Sequence, residues 1–142
     1  NAQMKRVPVN GQGFVELIAG NFQKEFGPAS TFSPVHISNA KLKAGDVAEY
    51  SFPAHFNTSM IVVEGEVMIN ESEQAPVNHF ILMSNSGEEF TITATQDSTI
   101  LVLSGEPINE PIAAHGPFVM NTHQELVEAF NDFNNGKFGY LE

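Results

Sequence analysis

What most constrains this chain is a series of short apolar runs, at residues 14–19, 35–37, 60–63, 67–69, 79–83, 90–94 and 99–103. Each is the length of a strand and too short for a core helix. The breaks between them are chemically suited to turns: Lys43-Ala44-Gly45-Asp46, Glu64-Gly65-Glu66, Ser84-Asn85-Ser86-Gly87-Glu88 and Thr95-Gln96-Asp97-Ser98. No apolar stripe at helical spacing interrupts the runs, which disfavours a parallel sheet with crossover helices. The expected fold is all-β and antiparallel, a sandwich or barrel.

After Leu103 the pattern changes. Pro107, Pro111 and Pro117 follow in quick succession, and proline cannot donate to a sheet ladder, so this stretch is expected to be a wrapping loop. Thr122 stands three residues before Glu125, the spacing at which a Thr hydroxyl and a Glu carboxylate reciprocally satisfy free amide groups at a helix start. A C-terminal α-helix should begin there. Leu126, Val127, Phe130 and Phe133 form its expected apolar face, which packs on the β body, and Gly136 is its stop. The expected organisation is therefore a β-barrel over 3–104, followed by a loop and helix over 105–142 of the same domain. Asn1-Ala2 reads as a cloning scar, and the chain as a fragment of a longer protein.

Seventeen acidic residues against six basic ones give a formal net charge of -11, which repels a phosphate backbone and argues against nucleic-acid binding. No apolar run approaches the roughly 20 residues needed to span a bilayer, so no membrane partner is expected. Cysteine is absent, which removes disulfides and thiolate metal sites and is compatible with the expected compartment, a reducing cytoplasm.

The chemistry-bearing residues are sparse. Residues 45–65 resemble the first motif of the cupin superfamily, in which a His-x-His pair on a strand is followed by a carboxylate and a closing glycine. Here the pair reads His55-Phe56-Asn57, and Ile61 and Val62 stand where the carboxylate belongs. Residues two apart on a strand face the same way, so His55 and Asn57 are expected to point into the barrel as the only metal-ligand candidates, and weak ones, because an Asn amide binds transition metals poorly compared with imidazole. The second motif's histidine is missing, since Glu88, Glu89 and Phe90 follow Gly87. His36 and His79 read as structural, and His115 and His123 lie too far along the chain to complete a set. Gly11-Gln12-Gly13 lacks the later glycine of a dinucleotide loop, and no glycine-flanked nucleophilic serine occurs. No catalytic residue and no cofactor site is expected in this chain.

A longer likeness covers nearly the whole sequence. Residues 105–112 (GEPINEPI) and 116–122 (GPFVMNT), then Glu125, Ala129, Asp132, Gly136, Phe138 and Gly139, resemble the C-terminal signature of the pirin family. Upstream, Gly27-Pro28, Pro34, Gly45, Pro53, His55, Asn57 and the segment Val63-Glu64-Gly65-Glu66-Val67 keep the family's order. The resemblance implies a cupin-type double-stranded β-helix, or jelly-roll barrel, forming the second half of a bicupin. It places iron in the N-terminal cupin, which has no counterpart here. It implies a metal-free structural and interaction domain, alternatively part of a pirin-type iron-dependent quercetin 2,3-dioxygenase whose active site lies in a missing N-terminal cupin. The implied partner is that N-terminal half, or a second copy in a homodimer. A third possibility is a stand-alone small-molecule-binding cupin.

Overall fold

Every apolar run read from the sequence overlaps a β-strand of the computed structural model, which describes residues 4–139. The expected scar at Asn1-Ala2 lies outside the described residues. The chain separates into two units, Asn1–Pro107 and Ile108–Glu142.

The first unit contains twelve strands: β1 (Lys5–Pro8), β2 (Phe14–Ala19), β3 (Asn21–Phe22), β4 (Glu25–Phe26), β5 (Val35–Leu42), β6 (Val47–Ser51), β7 (Asn57–Glu64), β8 (Glu66–Ile69), β9 (Glu73–Pro76), β10 (Phe80–Leu82), β11 (Glu89–Ala94) and β12 (Ser98–Gly105). Six form one antiparallel sheet in the order β1-β2-β5-β12-β7-β10, and four form a second in the order β6-β11-β8-β9. Alternation along the strands sets the interior. On β5 the buried residues are His36, Ser38, Ala40 and Leu42; on β12 they are Ser98, Ile100, Val102 and Ser104; on β7 they are Thr58, Met60 and Val62. Side chains of one parity face the partner sheet, whose Ala48, Val67, Ile69 and Ile92 complete an apolar centre.

The corner between β5 and β6 explains Gly11-Gln12-Gly13. The Asp46 carboxylate is buried there and accepts backbone N–H groups from Gln12 (2.9 Å), Gly13 (2.6 Å) and Lys43 (2.8 Å). A side chain at Gly11, where φ is 141°, or at Gly13 would overlap that carboxylate. These glycines cradle an aspartate of the protein itself. Burial opposes the charge of Asp46, but the three N–H donors hold its carboxyl below the usual range.

The second unit corrects the expectation of a loop after Leu103. Ala113–His115 (β13) and Phe118–Met120 (β14) pair as an antiparallel hairpin, with Pro117 in the connecting turn and Pro107 and Pro111 ahead of the first strand, where no ladder N–H is needed. The helix α1 (His123–Asn134) starts as expected. Thr122 accepts the Glu125 N–H, and the Glu125 carboxylate accepts the Thr122 N–H at 2.8 Å. Gly136, at φ 71°, ends the segment. The buried face differs from the expected stripe: Leu126 and Ala129 are buried, Phe130 is half-buried against Phe118 and His115, and Val127 and Phe133 are both 60% exposed. Within this unit the helix lies on the two-stranded hairpin, which is too narrow to cover a wide stripe.

Candidate functional site

The expected inward pair does not form. β7 begins at Asn57, which is exposed, and its inward residues are Thr58, Met60 and Val62. His55 precedes the strand, is exposed, and lies 3.5 Å from the Glu106 carboxylate. The parity of β7 is therefore opposite to that expected, because the strand is entered through the turn at Pro53-Ala54-His55 and takes its register from β12, where Thr58 lies opposite Ser104. His79 is also exposed, its Nδ1 3.3 Å from the Val77 carbonyl. His115 and His123 are exposed in the second unit.

The polar centre of the barrel is built on a histidine that the sequence reading set aside. His36 is 3% exposed. Its Nδ1–H donates to the Asn21 carbonyl at 3.0 Å, which leaves Nε2 to accept the Ser38 hydroxyl at 2.8 Å. Ser38 Oγ in turn accepts the Tyr50 hydroxyl at 3.2 Å. Across the same end of the six-stranded sheet, the buried Thr58 and Ser104 hydroxyls are 2.8 Å apart. Burial of His36 drives its pKa down to about 4, with the Asn21 hydrogen bond opposing that shift, so the imidazole is neutral at physiological pH. Burial likewise pushes the Tyr50 phenol up. Both groups are held in their neutral forms.

Aromatic rings close this end. Tyr50 stacks on Phe90 with centroids 5.3 Å apart and planes 7° from parallel, and Phe22 and Phe52 lean on them at 4.9 Å and 6.0 Å. Phe22 comes from the β3–β4 hairpin, whose Asn21 also holds His36. Outside the rings lies a cavity of about 600 Å³, bordered by Asn21 and Gln23 of the hairpin, by β6 and by Glu89 of β11. A smaller pocket of about 90 Å³, also bordered by Phe52 and Phe90, reaches Thr58. Among the described residues there is no group of three or more His, Asp or Glu placed to hold a metal ion. The buried carboxylates stand elsewhere: Asp46 at the corner, and Glu16 in an ion pair with Lys41 and Arg6, each at 2.9 Å. The hydrogen bond from Lys41 is foremost in holding the Glu16 carboxyl below its ordinary range.

Two facing antiparallel sheets with this inward alternation form a cupin barrel, and solved cupins share it. The chain superimposes with a TM-score of 0.87 on half of a crystal structure of quercetin 2,3-dioxygenase from Acinetobacter baumannii, at 37% identity over 99% of this chain and 49% of that one. A bacterial pirin from Escherichia coli in complex with nickel(II) shares the fold, with a TM-score of 0.57 at 18% identity over 71% of this chain and 42% of that one. Residues 37–139 match the pirin C-terminal cupin domain, and the chain belongs to the pirin family. A Pseudomonas aeruginosa relative, provisionally named a quercetin 2,3-dioxygenase, is 34% identical over 126 residues, which are 89% of this chain and 44% of the relative. The chain thus spans less than half the length of that relative.

Proposed function

We propose that this chain is the metal-free cupin of a two-cupin protein, a structural and interaction half whose partner cupin holds the metal and the reaction. The observation that carries the reading is the donor set at the polar end of the barrel. It contains one imidazole, with both nitrogens already hydrogen-bonded, and the hydroxyls of Ser38, Tyr50, Thr58 and Ser104. Neutral hydroxyls are weak ligands for transition metals, and no second imidazole or carboxylate joins them, so these residues do not fit the iron that the family implies. No step of a reaction is routed through this end. The whole protein is read as a quercetin 2,3-dioxygenase, a reading supported by the activity named for the Acinetobacter structure at 37% identity.

An interaction role is supported by the outer face of the six-stranded sheet. There Ile37 and Leu103 lie in one row with Leu82, while Leu101 and Ile61 lie in the next with Phe80. Phe80 is 62% and Leu82 71% exposed. Such a band favours burial against a partner, either the other cupin or a second copy of this chain. The experiment is elemental analysis of the purified chain, paired with a quercetin-cleavage assay of the chain alone and of the full-length protein. Less than a tenth of an equivalent of metal and no turnover by the chain alone, with turnover by the full-length protein, is the expected result. Near-equimolar metal that disappears in His36→Ala would overturn the reading.

A further inference from the structure

Strand β6 is an edge of the four-stranded sheet, and its hydrogen-bonding pattern can be followed residue by residue. The Phe52 N–H donates to the Glu88 carbonyl at 2.8 Å and the Ala94 N–H to the Asp46 carbonyl at 3.0 Å. Both lie in register with the pairs Tyr50–Phe90 and Ala48–Ile92. In an antiparallel ladder the hydrogen-bonded pairs alternate, so even-numbered residues of β6 bond to β11 and odd-numbered ones turn their backbone groups to the free edge. The strand's start is consistent with this, because the Val47 N–H donates to the Asn10 carbonyl at 3.0 Å in an isolated antiparallel bridge. Beyond that bridge, the Glu49 and Ser51 backbone groups find no partner strand among the described residues. An unpaired edge of this kind is a template for another strand.

The free edge does not face open solvent alone. It borders the cavity of about 600 Å³, a size within the range of roughly 300–1,000 Å³ typical of ligand sites. Phe22 and Phe52 provide apolar wall, Asn21 and Gln23 provide amides, and the carboxylates of Glu49 and Glu89 line it with no Lys or Arg. The chain as a whole carries a net charge of -11. We propose that this cleft takes an extended peptide segment with basic side chains, which adds as a strand to β6 beside the Asn10 bridge. Main-chain hydrogen bonds to Glu49 and Ser51 supply register, alternate apolar side chains meet the aromatic wall, and basic side chains meet Glu49 and Glu89. Charge complementarity selects the basic segment over an acidic one of the same β propensity.

The test uses the purified chain and two end-capped hexapeptides, Lys-Val-Lys-Val-Lys-Val and Glu-Val-Glu-Val-Glu-Val, with binding followed by calorimetry. The basic peptide should bind at least tenfold more tightly than the acidic one. Ser51→Pro removes an edge donor that β11 does not use, so it should weaken binding at least tenfold while leaving the urea midpoint unchanged. Amide exchange on the wild-type chain keeps the idea testable if Ser51→Pro does not fold: the basic peptide should slow exchange at Glu49 and Ser51 and leave Ala48 and Tyr50 unaltered. The double variant Glu49→Lys and Glu89→Lys should reverse the preference between the two peptides. Equal binding of both peptides, undiminished binding by a folded Ser51→Pro, or protection that spares Glu49 and Ser51 would overturn the proposal.

Discussion

The two ends of the barrel interior are made from the same strands yet obey different rules. Towards the β5–β6 corner, β7, β8, β11 and β12 contribute Val62, Val67, Ile92 and Ile100, all at 0% exposure. At the other end the same sheets contribute His36, Ser38, Tyr50, Thr58 and Ser104, every one of them buried and hydrogen-bonded. The apolar end is held by close packing and removal of surface from water. The polar end is held by complete pairing, since a buried donor or acceptor without a partner costs more than a hydrogen bond gains. No buried side-chain nitrogen or oxygen among the described residues lacks a partner. An end built this way has hydrogen-bonding capacity but has spent it on itself, which is the physical content of the metal-free proposal.

The largest effect that sharpens this contrast is expected at the apolar end. Ile92→Ala should destabilise the barrel by about 2–5 kcal/mol, because the cavity left among fully buried neighbours cannot collapse. Urea denaturation checks it, and a loss below 1 kcal/mol would mean that this end is loosely packed. The next effect separates the ends by pH. His36 has a folded pKa of about 4 against an ordinary 6.5, so the unfolded chain binds the proton more readily. The stability from burying the neutral ring is fully present above pH 6.5 and is lost as pH falls from there to about 4, on the order of 3 kcal/mol in all. Asp46 and Glu16, whose carboxyls are held low, also lose stability as pH falls. Comparing wild type with His36→Gln over this window isolates the imidazole, and identical pH curves for the two would contradict the assignment.

A smaller effect is expected from the hydroxyl pair. Ser104→Ala strands the Thr58 hydroxyl and should cost about 1–2 kcal/mol, whereas Thr58→Val combined with Ser104→Ala should recover most of that loss. A double-variant loss equal to the sum of the two single losses would show that the pair is not coupled. Smallest of all, Thr122→Ala in the second unit should cost about 1 kcal/mol of helix stability through the lost cap. Circular dichroism during denaturation reads this out.

These contrasts also show what was legible beforehand. The apolar runs determined the fold because alternation at period two has one solution when one face must be buried. The capping box at Thr122 and Glu125 was legible because it is local, closed within four residues. The polar end was not. His36 lies between the apolar Val35 and Ile37, and only the continuation through Ser38, Ala40 and Leu42 shows that the even positions face in. Extending the alternation down to Leu42 would have found it. Nothing comparable was available for the partner of His36, because the Asn21 carbonyl reaches it from a hairpin fifteen positions away. His55 and Asn57 misled for a related reason: a motif's spacing carries parity only if the strand starts where the motif supposes, and β7 starts at Asn57. β6 escaped notice because its buried Ala48 and Tyr50 alternate with Val47, Glu49 and Ser51, a pattern too short and mixed to stand out.

The most direct test of the central claim watches the His36 ring itself. Nitrogen NMR of the wild-type chain, labelled at histidine, should show a neutral ring protonated at Nδ1 at pH 7, with both nitrogen shifts unchanged on adding one equivalent of iron(II) or nickel(II). A stoichiometric shift or broadening of the His36 Nε2 signal, with loss of its hydrogen bond to Ser38, would place a metal at the polar end and contradict the account.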